Sequence, residues 1–292
     1  MDERPIGMFD SGFGGLTVAR ALIDLAPAEH LVYVGDTGRY PYGPRDLAEV
    51  RGFAAQISRW LVDTHDVKLI VVACNTASAA GLDVLRRLVP VPVVGVIEPG
   101  ARAAAKATRN RRLGVIGTVG TIGSGAYQRA IAELPVPIEL SCAACPGFVE
   151  FVERGETRSD QVAVLAERLL APVRDAGIDT LLLGCTHYPF LARTIADVMG
   201  RDVVLVSSAD ETAFEVRQIL TEERLARGGP DVDPGELRFY SSGDVEWFRA
   251  VGSRLFGEEL GAVGQLVWGK PPVVADVPLD TPPAPGAASG GR

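Results

Sequence analysis

Two short stretches of the 292-residue chain echo each other, and each ends in a group able to carry a proton. Leu69-Ile-Val-Val-Ala leads into Cys74-Asn75-Thr76, and Thr180-Leu-Leu-Leu-Gly leads into Cys185-Thr186-His187. A thiol is a one-proton acid with an ordinary pKa of ~8.5, lowered beside a helix N-terminus or a cation. Two thiols facing one carbon from opposite sides could do what one cannot. One removes a proton, the other returns a proton to the opposite face, and the stereocentre inverts. General acid–base help of this kind is worth roughly 10²–10⁴-fold per group. A lone free cysteine is most often an inert core residue. Two at matched positions among only four cysteines point to function instead.

Neighbouring residues support that reading. Asn75-Thr76 and Thr186-His187 are types that cap helix N-termini, where anions are favoured. His187, two residues past Cys185, could hydrogen-bond that sulfur or hold it as thiolate. Asp10-Ser11 precedes a glycine turn, Gly12–Gly15. It could simply open that turn, or its carboxylate could orient a thiol or relay its proton. Cys142-Ala-Ala-Cys145 has redox or half-zinc spacing, but no second pair completes a metal site. Cys142 reads as core and Cys145 as near the site at most. His30 and His65 read as solvated loop histidines.

These groups need strands to hold them. An aliphatic run of this length reads as a buried parallel strand, and ligands bind at the carboxyl ends of such strands. The pattern predicts strands at Ile6–Phe9, Leu31–Val34, Leu69–Ala73 and Val93–Val96. It predicts helices over 16–25 and 46–63, separated by the Gly/Pro-rich loop Gly38–Pro44. Four further strands follow, Leu113 matching Ile6, Ile138 matching Leu31, Leu181 matching Ile70 and Val203 matching Val93, at offsets of 107, 107, 111 and 110 residues. A nearly constant offset with the same order indicates an internal duplication. The expected fold is α/β: two pseudo-symmetric, doubly wound domains with mainly parallel sheets and the active site in the cleft between them. Residues 1–97 plus 209–269 would form the first domain and 98–208 the second. A helix over 211–227, a strand at Leu237–Ser241 and a helix at Val245–Phe256 would close the first. The Pro/Gly/Ala-rich tail, 270–292, is expected to be disordered.

Composition narrows the class. A net charge of −8 and a pI near 5.1 argue against a direct nucleic-acid surface, which carries a basic face. No run approaches the ~18 apolar residues of a membrane span, and Met1-Asp-Glu-Arg-Pro is not a signal peptide. Four cysteines in so long a chain make no disulfide framework. A cytoplasmic protein with reduced thiols is expected. No G-x-G-x-x-G or Walker sequence appears, and none of the three lysines, Lys68, Lys106 and Lys270, follows a strand end in a polar loop. The expected chemistry is therefore cofactor-independent and metal-free.

Taken together, Phe9-Asp-Ser-Gly-Phe-Gly-Gly-Leu16, Gly35-Asp36 with Tyr40-Pro-Tyr-Gly43, Ala73-Cys-Asn-Thr-Ala77 and Leu183-Gly-Cys-Thr-His-Tyr-Pro189 resemble the glutamate racemases of the aspartate/glutamate racemase family. The resemblance runs in order and spacing from Ile6 to Gly269. It implies cofactor-independent interconversion of L- and D-glutamate, supplying D-glutamate for bacterial peptidoglycan and cell shape. By resemblance, Cys74 acts on D-glutamate with help from Asp10, and Cys185 acts on L-glutamate with help from His187. Asp10, Ser11, Tyr42, Gly43, Asn75, Thr76, Thr186 and His187 correspond to substrate contacts. A further carboxylate follows the Cys-Pro motif. Glu153 fits its place and Glu150 competes with it, since Gly147 and Glu150 stand where the family has Leu and Pro. The resemblance also implies a homodimer. It leaves two alternatives open: racemisation of aspartate, and an added role as an inhibitor of DNA gyrase.

Overall fold

The computed structural model describes residues 1–228, 232–257 and 260–272. Among these, ten strands form two wholly parallel sheets. Strands β1 (Ile6–Asp10), β2 (Leu31–Gly35), β3 (Leu69–Val72) and β4 (Val93–Gly95) lie in the first. Strands β5 (Arg112–Gly117), β6 (Glu139–Ala144), β7 (Thr180–Gly184) and β8 (Val204–Ser207) make the second, and β9 (Leu237–Ser241) and β10 (Val263–Gln265) return to the first. The orders are β10-β9-β2-β1-β3-β4 and β6-β5-β7-β8. Four strands of each sheet thus repeat the same spatial permutation, 2-1-3-4, as a duplication demands. The central strands are buried along their whole length, β1 as Ile-Gly-Met-Phe-Asp and β7 as Thr-Leu-Leu-Leu-Gly. Burial on both faces is what selects continuous aliphatic runs over alternation.

Helices cover both faces of each sheet. They are α1 (Leu16–Leu25), α2 (Leu47–His65), α3 (Asn75–Leu88) and α4 (Ile97–Ala107), then α5 (Val119–Gly123), α6 (Ala126–Ala132) and α7 (Phe148–Arg154). The remainder are α8 (Asp160–Asp175), α9 (Ala192–Met199), α10 (Ala209–Glu222) and α11 (Val245–Phe256). Separate apolar clusters fill each face: one under α1, α10 and α11, one under α2 and α3, and two around the second sheet. Helix α2 begins where its N-cap predicts, with the Asp46 carboxylate accepting from Ala48 N–H. Helix α10 runs earlier than the sequence pattern suggests and stops at Glu222. Arg224 turns left-handed at φ 59°, and Arg227 leaves the helix to donate to Glu3 Oε2 and to the Ala28 carbonyl. The expected disordered tail lies outside the described residues from 273 onward. Among the described residues no helix is long and apolar enough to cross a membrane.

Two histidine expectations and one cysteine expectation are corrected. His30 is half-buried, its Nδ1 accepting from Glu236 N–H at 2.8 Å. His65 packs edge-on against Trp60, with ring centroids 4.6 Å apart. Cys142 lies at the margin of the core rather than inside it: half-buried on the edge strand β6, it packs against the cluster of α4, β5 and α6, and partial burial pushes its thiol up to about 11.

Candidate active site

The carboxyl ends of both sheets open onto one cavity of about 100 Å³. It is lined by Asp10, Ser11, Tyr42, Gly43, Cys74, Asn75 and Thr76 from the first sheet's side, and by Cys185, Thr186 and His187 from the second. Cys74 follows β3 and Cys185 follows β7, the third strand of each repeat. They are buried, at 5% and 7% exposure, yet both face the cavity.

The two thiols stand in different surroundings. Cys74 is itself the N-cap residue of α3. Its Sγ donates toward Ser11 Oγ at 3.7 Å. Burial, then the Asp10 carboxylate, push its thiol up to about 12, against the pull of the Ala77 backbone N–H and of Ser11. At neutral pH this sulfur carries its proton. Asp10 is held by Gly12 N–H at 3.0 Å on Oδ2, while Oδ1 is buried without a hydrogen-bond partner. Cys185 instead has His187 beside it, with Sγ and Nδ1 4.0 Å apart. Burial works against an imidazolium there. The Cys185 sulfur and the Glu153 carboxylate outweigh burial and hold the His187 pKa up to about 10. His187 Nε2 lies 3.3 Å from Glu153 Oε1, a charge contact rather than an aligned hydrogen bond. Glu153, on α7, therefore backs the histidine from outside the cavity wall. Glu150, one turn earlier on the same helix, is exposed and lines the mouth.

The cap-type residues after each cysteine do not cap. Asn75 and Thr76 lie inside α3, and His187 begins a short 3₁₀ turn, Tyr188–Leu191, with no side-chain capping bond at either place. Asn75, Thr76, Thr186 and His187 line the cavity instead. Tyr127 donates to Asn75 Oδ1 at 2.6 Å, leaving Asn75 Nδ2 as a buried donor with no partner. Such a donor costs free energy unless something accepts from it, as a substrate carboxylate would.

The sequence profile of the Asp/Glu/hydantoin racemases matches residues 6–215. The chain belongs to that family. A glutamate racemase of Acidothermus cellulolyticus is 52% identical over 267 residues, which cover 91% of this chain and all of that protein. One of Mycobacterium ulcerans is 53% identical over 259 residues, 89% of this chain and 94% of the relative. Among solved structures, glutamate racemase RacE1 of Bacillus anthracis superposes with a TM-score of 0.85 at 40% identity, covering 92% of this chain and 98% of that one. The Francisella tularensis glutamate racemase, solved in complex with D-glutamate, gives 0.84 at 34% identity, covering 92% and 98%.

In this family member the cavity also contains Tyr40 and Thr118, to which the sequence assigned no role, and Cys145, which it placed near the site. Tyr40 lines it, its hydroxyl buried and its pKa raised by burial and then by Glu153. The bond between Tyr40 and Pro41 is cis. Thr118, the N-cap of α5, reaches in from the second repeat. Cys145 lines the wall as a buried thiol, pushed up to about 12 by burial and by its neighbour Cys185. Its place just past the end of β6 puts it near the site, as expected from the sequence. Gly14 was a silent contributor. A Cβ there would lie 2.2 Å from Thr186 Oγ1 and 2.5 Å from His187 Nδ1, so this close an approach of the two halves at residue 14 needs a glycine. Among the described residues no cluster of His, Cys, Asp and Glu is placed to hold a metal ion.

Proposed function

We propose that the enzyme racemises glutamate by two-base proton transfer between Cys74 and Cys185, without a cofactor. The observation that carries this reading is the shared cavity. Two thiols at equivalent strand ends of a duplicated fold line one space that has a partnerless amide donor in its wall. In one direction Cys185 acts as thiolate and takes the α-proton of L-glutamate. The Cα–H bond breaks, an S–H bond forms, and the electron pair left on Cα takes a proton from the Cys74 thiol on the other face. D-glutamate leaves, and the two sulfurs have exchanged protonation states. The reverse turnover begins from the Cys74 thiolate.

The surroundings fit these unequal duties. Cys74 rests as a thiol, ready to donate. The His187 imidazolium stabilises negative charge on the sulfur beside it, and Glu153 keeps that imidazolium protonated. Asn75 Nδ2, Ser11, Thr76 and Thr186 supply donors for the substrate carboxylates, and the Tyr42–Gly43 loop closes the side-chain end. A supply of D-glutamate for peptidoglycan, made in the cytoplasm, is the physiological role we assign.

The decisive test is D-glutamate in deuterated buffer with no added cofactor. L-glutamate carrying deuterium at Cα is expected; unchanged D-glutamate without exchange would overturn the proposal. Cys74→Ala and Cys185→Ala should each cost at least roughly 10²–10⁴-fold in kcat. Each should shift stability by only about 1 kcal/mol, because the lost sulfur borders an existing cavity rather than opening one in packed core. The ratio of kcat/KM for glutamate and aspartate measures the substrate preference. One methylene is worth ~1–3 kcal/mol, or about 10–200-fold.

A further inference from the structure

The loop that carries Tyr42 and Gly43 into the cavity is fastened from outside by a segment that follows the matched family region. Asp36, just past the end of β2, is completely buried. Its Oδ2 accepts from Arg39 Nε at 2.7 Å and from the Tyr42 hydroxyl. Its Oδ1 accepts from Ser242 Oγ at 2.5 Å and from Trp268 Nε1 at 2.8 Å. Trp268 comes three residues after β10, well past residue 215 where the family profile ends. Arg39 lies between two rings, 4.2 Å above Phe53 and 5.1 Å from the Trp268 centroid. It also donates to Gln56 Oε1 at 2.7 Å, and Gln56 Nε2 reaches the Gly269 carbonyl at 3.2 Å. The start of this strap is pinned where Leu266 N–H donates to the Ser241 carbonyl at 2.8 Å.

A buried carboxylate with four donors from three separate segments is a fixed point, because charge-assisted hydrogen bonds are short and strong. The Tyr42 ring, 1% exposed, stands between that point and the cavity. We propose that Trp268 is a positioning residue: acting through Asp36, it holds the Tyr42–Gly43 wall of the cavity at the distance the substrate needs. This rests on the glutamate reading above. The strap touches neither sulfur, so its loss weakens ground state and transition state alike. Such a change appears in KM with kcat retained.

Trp268→Phe removes the N–H and keeps an aromatic ring over Arg39. It should raise KM for D-glutamate at least about fivefold, with kcat within about twofold and Tm nearly unchanged. Val267→Ala, altering an exposed neighbour on the same strap, should match the wild type. A Trp268→Phe enzyme with wild-type KM overturns the proposal, as does one whose kcat falls in step with Tm. A wild type that fails to racemise glutamate instead overturns the glutamate reading, so the two failures are distinct. If Trp268→Phe folds poorly, the double variant Trp60→Phe/Trp247→Phe leaves Trp268 as sole tryptophan fluorophore. Its emission should change with D-glutamate and saturate near KM; emission blind to saturating D-glutamate overturns the coupling.

Discussion

At the scale of single residues, the two thiols are alike in position and unlike in support. Asp10 comes to Cys74 from a neighbouring strand, whereas His187 comes to Cys185 from two residues along the same chain. This difference has a kinetic consequence. The equilibrium constant of a racemisation is one, so kcat/KM must be equal in the two directions for every variant. Unequal support can therefore show only in kcat and KM taken separately. Asp10→Asn should lower kcat more for D-glutamate than for L-glutamate, and His187→Gln should do the reverse. Progress curves by circular dichroism from each pure enantiomer decide it, and equal ratios in both variants would refute the division of labour. His187 also ties stability to pH. Folding holds its pKa at about 10 against an ordinary 6.5, so between those limits the folded chain keeps a proton the unfolded chain has lost. The stabilisation is complete below pH 6.5 and disappears as pH rises toward about 10. Cys74, raised to about 12, acts in the same direction but only at higher pH. Urea unfolding at about pH 6.5, 8 and 9.5 should show a decline on the order of 1–3 kcal/mol that His187→Gln flattens.

At the scale of elements, the sequence shows most where burial is complete. Strands β1, β3 and β7 are read from aliphatic runs because both faces of a central parallel strand are covered, and their carboxyl ends are then the expected place for a site. The pairing of Cys74 with Cys185, and their company of Asp10, Ser11, Asn75, Thr76, Thr186 and His187, follows from that one inference. Strand β10 was not legible: Val263-Gly-Gln is three residues with a glycine, too short for any period. The true end of α10 depends on Arg224 and Arg227, and Arg227 meets partners distant in sequence. Glu153 became distinguishable from Glu150 only when α7 was oriented against His187, because spacing places both beside the motif. Gly14 carries the clearest prediction at this scale. It sits in the turn between β1 and α1, and its missing Cβ is the space into which Thr186 and His187 fit. Gly14→Ala should cut kcat at least about tenfold, the scale on which small misplacements at a reacting centre act, while shifting Tm by a few degrees. Wild-type turnover in the folded variant would show that the two halves are less closely set than the geometry requires.

At the scale of the molecule, each repeat has its own cores, and the cavity exists only where the repeats meet. Polar contacts join them at its rim. Gly120 N–H donates to the Gly43 carbonyl at 2.8 Å. Thr76 Oγ1, from the first repeat, lies 3.0 Å from Thr118 Oγ1 and 3.1 Å from Thr121 Oγ1 of the second. A hydroxyl cluster suits this place, because its members trade partners with little rearrangement, whereas an apolar seam would resist separation and slow substrate entry. The cluster should then be a measurable tie between halves. Thr121 is fully buried, so Thr121→Val leaves Thr76 and Thr118 short of a partner at a cost of about 1–3 kcal/mol. Thr76→Val removes the same link from the other side. If the halves are joined energetically here, the double variant loses less than the two single losses combined, with a coupling of roughly 0.5–1.5 kcal/mol. Strict additivity in urea unfolding would mean that the repeats are held together elsewhere, and that the rim contacts shape the cavity without stabilising its closed form.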